Sequence, residues 1–163
     1  MCGIASEKII SALPGDCRQS FREIAECAVS LGYMPAVKGT RKDYADFSNS
    51  KLKRTIMKIN TDPKFPPGLA IKFYALPIYS PYFQSAIDDR LSTWKRLGYK
   101  ARCFGCGKCD GSEGYPVTLP DGNEGFLCGF GLLPLPAPSG ENIPEVKEAL
   151  RLQDDFFRKQ APA

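Results

Sequence analysis

The chain has 163 residues, seven cysteines and no histidine, with a formal net charge of +4. That length suits one domain with its own hydrophobic core. No apolar run approaches the ~18 residues of a bilayer span, and without histidine there is no Ser–His or Cys–His catalytic pair. The N-terminus lacks a basic segment followed by an apolar stretch, so no signal peptide is read and the cytoplasm is the expected compartment. An odd cysteine count in a reducing compartment argues against a disulfide framework.

Residues 6–13 read as a short helix stopped by Pro14-Gly15. Asp16 is the expected N-cap of a second helix, Cys17 to Leu31, closed by Gly32. Its apolar stripe runs through Phe21, Ile24, Ala25 and Ala28, which leaves Cys17 and Cys27 as packing or surface thiols. The period then changes to two. Strands are expected over 33–37, 43–47, 51–60 and 68–76, with a turn at Asn49 and a loop over 62–68. In 51–60 Leu52 and Ile56 fall on one face and Met57 and Ile59 on the other, so the core face stays open. Ser80-Pro81 starts a helix that ends at Leu97-Gly98, with Phe83, Ile87, Leu91 and Trp94 on one side.

Two strands follow around Asp121-Gly122, a strong hairpin signal. A two-residue turn there pairs Leu119 with Glu124, Val117 with Phe126 and Tyr115 with Cys128. Pro116 marks the first strand as an edge. Residues 134–140 read as a proline-rich connector. A last helix covers 143–159, with Val146, Ala149, Leu150, Phe156 and Phe157 turned inward. The elements group into helices and antiparallel hairpins, so the fold class is α+β. The expected organisation is a single domain: a core over 1–98, a cysteine loop and hairpin over 99–133, and a C-terminal helix over 141–160.

The chemistry is concentrated in "CFGCGKC", residues 103–109. Cys103, Cys106 and Cys109 are spaced by three, and the hairpin returns Cys128 to them. Gly107 follows the second thiol, where a metal knuckle needs a backbone conformation that glycine adopts cheaply. Arg102 and Lys108 supply positive charge beside the thiols, which eases thiolate formation. The ligand set is all sulfur, which suits tetrahedral zinc first, then an iron–sulfur cluster such as 4Fe-4S or a single iron. A metal-free redox thiol group is the remaining option. A filled four-cysteine zinc site leaves no open position for a catalytic water and acts as a staple.

"CFGCGK" resembles the knuckle of zinc ribbons and rubredoxins. The triplet with a remote fourth cysteine also resembles the structural zinc lobe of medium-chain alcohol dehydrogenases, although the fourth ligand lies closer there, and bacterial ferredoxins, although Gly129 stands where those usually have proline. Over roughly 6–98, "IISALPGDCRQSFREIAECAVSLGY" with the later "IKFYALP" resembles the YdhG-like, frataxin-like family of small bacterial proteins. That resemblance implies an α+β core, and for some members an iron-chaperone role. Acidic surface residues carry that role in frataxins. Residues 38–72 of this chain instead hold nine Lys or Arg against three Asp.

Those basic strands raise a different expectation. Lys51, Lys53, Arg54 and Lys58 form a candidate anion-binding stretch, and interleaved aromatics such as Tyr44 and Tyr74 could stack the bases of a single-stranded nucleic acid. Alternating lysines on a solvated strand face look the same. Asp88-Asp89 and Asp154-Asp155 are sequence neighbours about 100° apart on a helix, so neither pair forms a dyad, and both are expected on solvated faces. The favoured expectation is a non-enzymatic metal-binding protein with a protein or small-molecule partner and no membrane association.

Overall fold

Alternating apolar positions build the main sheet. In the computed structural model, which describes residues 4–36, 44–62, 68–98, 109, 111–119 and 122–161, five strands run in the order β1-β2-β3-β4-β7, every neighbouring pair antiparallel. They are β1 (Met34–Ala36), β2 (Tyr44–Asn49), β3 (Arg54–Asn60), β4 (Gly68–Ile71) and β7 (Leu133–Leu135). The register lays apolar side chains in two cross-strand rows, Phe47–Met57–Ile71–Leu133 and Ala45–Ile59–Leu69–Leu135. All eight are buried. The opposite face carries Asp46, Lys58, Ala70 and Pro134 in one row. A second, two-stranded sheet consists of β5 (Gly114–Thr118) and β6 (Glu124–Cys128).

The helices are α1 (Ile4–Ser11), α2 (Gly15–Ser30), α3 (Pro81–Arg96) and α4 (Ile143–Gln160). Their buried faces, among them Ile9, Phe21, Ile24, Phe83, Ile87, Val146 and Leu150, join the sheet rows and the hairpin residues Tyr115 and Leu127 in one core cluster. The α+β class expected from the grouped elements is what the fold shows. Among the described residues no helix is long and apolar enough to cross a membrane.

Several local readings change, each for a physical reason. The second helix begins at Gly15, and Asp16 lies in its first turn without a side-chain capping bond; there its charge still faces the positive helix end. Its C-terminus is a Schellman motif: Gly32 N–H donates to Val29 O at 2.9 Å and Tyr33 N–H to Ala28 O at 3.0 Å. The third strand begins only at Arg54, because residues 51–53 form the turn. Asn49 Oδ1 accepts the N–H groups of Lys51 and Leu52 at 3.0 and 3.2 Å there. The ambiguity of its core face has a structural origin. Phe47 pairs with Met57 and Ser48 with Thr55, so Ile56 is the extra residue of a β-bulge. A bulge lets the consecutive Ile56 and Met57 both be buried. The stretch expected as strand 68–76 ends at Ile71 and closes in a turn, with Leu76 N–H donating to Phe73 O at 3.0 Å.

The proline-rich connector holds a strand. Residues Leu133–Leu135 pair with β4, and Pro134 sits among them. A proline deletes one ladder donor and is tolerated at a sheet edge. β7 is an edge, as is β1 with Pro35 on the opposite side. Asp154, expected on a solvated face, is 3 % exposed. Its carboxylate accepts the Tyr33 hydroxyl at 3.1 Å and pairs with Arg158 at 2.8 Å, which joins α4 to the chain just past α2.

Candidate metal centre

The β5–β6 hairpin is one residue out of the expected register. Leu119 N–H donates to Asn123 O at 2.8 Å, and Gly122 N–H to Leu119 O at 2.9 Å, so three residues lie in the loop. Pro120 explains the shift: a two-residue turn would place it opposite Asn123, where a ladder donor is needed and proline has none. Gly122, at φ +81°, supplies the left-handed position that three-residue hairpin loops require. Consequently Thr118 pairs with Glu124, Val117 with Gly125, Tyr115 with Leu127 and Gly114 with Cys128.

This register decides where the fourth cysteine goes. Tyr115 and Leu127 turn into the core. Cys128, next along the strand, turns to the other face, half-buried and opposite a glycine. The hairpin is held on both sides. Tyr115 lies among Phe73, Tyr74 and Tyr79, with ring centroids 4.8, 5.6 and 6.3 Å away. Its hydroxyl oxygen accepts the Phe73 N–H at 3.3 Å. Gly129 N–H donates to Glu113 O at 2.9 Å, continuing the ladder past Cys128. A Cβ at Gly129 would lie 2.6 Å from the Tyr74 ring, so a side chain is excluded immediately after the cysteine.

Cys109 and Cys128 line the same cavity, of about 510 Å³, together with Lys53, Arg54, Lys58, Lys72, Asp46 and Glu113. Two thiols nineteen residues apart in sequence are thus returned to one space. Cys103, Cys106, Gly107, Lys108 and Arg102 lie outside the described residues. Among the described residues no three His, Cys, Asp or Glu side chains form a metal-sized group by themselves. Gly111, two residues after Cys109, has φ +92°. Cys17 and Cys27 play no part here: Cys17 Sγ lies 3.3 Å from Pro14 O, and Cys27 is half-buried on α2 with its thiol pushed up by burial.

The candidate anion-binding residues divide. Lys51 and Lys53 are exposed, and Lys53 has φ +52°. Arg54 is paired with Glu113 at 2.6 Å, a carboxylate only 5 % exposed, which links β3 to the hairpin. Lys58 pairs with Asp46 at 3.4 Å and lies over the Tyr44 ring at 4.2 Å. Lysine and aromatic meet here across the β2–β3 pair, where they engage each other.

Two participants had no motif to announce them. Lys72 stands between the fully buried Ile71 and Phe73 and is itself 7 % exposed. Burial pushes its ammonium down from the ordinary lysine range, while Glu113 and the two thiols act in the opposite direction. Glu113, in "GSEGYP", is 4 % exposed. The one available signal for Lys72 was a lysine inside the apolar run "AIKFYAL".

No family model matches this chain, and neither the curated proteins nor the solved structures contain a match to it.

Proposed function

We propose that this chain is a metal-binding domain in which Cys103, Cys106, Cys109 and Cys128 hold one tetrahedral ion, zinc first, and that its role is to bind another molecule and not to catalyse a reaction. One observation carries the reading: Cys109 and Cys128, from opposite ends of a nineteen-residue excursion, line a single cavity. The donor set fits a thiophilic ion, because the chain offers sulfur and no imidazole. When bound, zinc supplies folding free energy. The chain's own residues do the rest. The β5–β6 register presents Cys128, and Tyr115 fixes the hairpin to the sheet. The Arg54–Glu113 pair fastens the residue before β5 to β3.

A four-thiolate zinc centre leaves no coordination position for substrate, which is why the ion's proposed role is structural. The test is elemental analysis with a visible spectrum of protein purified anaerobically. The expected protein is colourless, holds about one zinc per chain, and loses its fold in strong chelator. A brown or red protein that bleaches on reduction replaces zinc with an iron–sulfur cluster or a single iron. Protein free of both metals, with four freely titrating thiols, overturns the reading.

A further inference from the structure

We propose that Lys72 is the buried counter-cation of the sulfur centre, neutralising thiolate charge at Cys109 and Cys128 and tying the centre to the main sheet. This rests on the metal-binding reading above. Lys72 follows β4 directly, and its backbone N–H donates to Ile56 O at 2.9 Å, at the bulge. The side chain is 7 % exposed, and among the described residues its ammonium has no ion pair or hydrogen bond. Among the described residues its ammonium lies over the face of the Phe157 ring, 5.8 Å away. An ammonium withdrawn from water without a counter-charge is strongly disfavoured, so a fold that keeps one calls for an anion.

The neighbouring carboxylates supply it only in part: Glu113 favours the charged ammonium, but the guanidinium of Arg54 acts against it. Glu113 is paired with Arg54 at 2.6 Å and Asp46 with Lys58 at 3.4 Å. The described cavity wall therefore holds four cations, Lys53, Arg54, Lys58 and Lys72, against two carboxylates, an excess of two positive charges. Four thiolates around a divalent ion carry two negative charges. The two described thiols share the cavity with Lys72 and act on its ammonium electrostatically. A divalent ion held this way, or a cluster of the same overall charge, brings negative charge to a wall whose described residues are net positive. In metalloproteins, removing a group that supports the ligands from outside typically costs about 10- to 100-fold in metal affinity.

The test uses the full chain, purified anaerobically, with Lys72→Met, which keeps length and removes charge, and Lys72→Arg, which keeps charge. Zinc affinity is read by chelator competition and thermal stability with and without metal. Lys72→Met is expected to lose about 10- to 100-fold in zinc affinity, with Lys72→Arg close to wild type. Without metal the order of stability should reverse: Lys72→Met should melt above the stripped wild type, because it no longer buries an uncompensated charge. Wild-type zinc affinity in Lys72→Met overturns the proposal. So does binding of inorganic phosphate by wild type that Lys72→Met abolishes while zinc affinity is unchanged, since the cation would then serve an external anion. A wild type that never holds metal removes the proposal together with the metal-binding reading, whereas a wild type that binds metal beside an indifferent Lys72→Met removes this proposal alone.

Discussion

Replacing Tyr115 by Phe removes one oxygen from the joint between the hairpin and the sheet. The ring stays, with its contacts to Phe73, Tyr74 and Tyr79, so no large cavity forms. What is lost is the acceptor for the Phe73 N–H, 3.3 Å away and fully buried. A buried donor left without a partner costs about 1–3 kcal/mol. The bond is long for N–H···O, which places the expected loss in the lower half of that range. For a chain of this size each kcal/mol lowers Tm by about 2–4 °C. Urea unfolding followed by circular dichroism should show a lower midpoint with an unchanged slope. Hydrogen exchange at the Phe73 amide should accelerate more than exchange in α2, which lies outside the joint. The same midpoint as wild type, together with unchanged Phe73 exchange, would refute the claim that this bond fastens the hairpin carrying Cys128.

Gly129→Ala places a methyl group 2.6 Å from the Tyr74 ring; overpacking of that kind costs about 1–3 kcal/mol, and zinc should be held more weakly, checked by chelator competition. Asp154→Ala leaves the Tyr33 hydroxyl buried without its acceptor and Arg158 without its pair. The hydroxyl accounts for most of an expected 2–3 kcal/mol or so, since a half-exposed Arg158 contributes below about 1 kcal/mol; denaturant melts measure the total, and a loss under about 0.5 kcal/mol would contradict the buried arrangement. High pH should destabilise the fold. Burial raises the phenol groups of Tyr33, Tyr74, Tyr79, Tyr82 and Tyr115, with Tyr79 pushed up to about 12. Each folded-state value lies above the unfolded one, so this stability is fully present below about pH 10. It is lost as pH rises through the folded values, and midpoints measured from pH 8 to 11 should fall at the alkaline end; a flat profile would contradict the burial.

The helices were legible because their signals are local. Pro81 after Ser80 starts α3, and the spacing of Val146, Ala149 and Leu150 marks the inward face of α4. What escaped depends on pairing partners that sequence does not name. Leu133–Leu135 looks like a linker until β4 is beside it, because only an edge position tolerates Pro134. The bulge at Ile56 hid the core face of β3 behind two consecutive buried residues. The hairpin shift turned on a single missing N–H, that of Pro120, against a strong Asp-Gly signal. For the candidate site, the hairpin itself was legible, but its register was not: Cys128 pairs with Gly114 and not with Tyr115, and so takes the opposite face from the one expected. Nor was the charge around it legible. The basic residues read as a surface patch include Arg54 and Lys58, which are ion-paired, while Lys72, the buried cation of the cavity, lay hidden in an apolar run.

X-ray absorption at the zinc edge of the anaerobically purified protein tests the central claim most directly, because it counts ligands and identifies their element. The account predicts a single shell of four sulfurs at about 2.3 Å, reduced by one sulfur or lost with the metal in Cys128→Ser. A shell containing nitrogen or oxygen in the wild type, or a four-sulfur shell that survives Cys128→Ser, would contradict it.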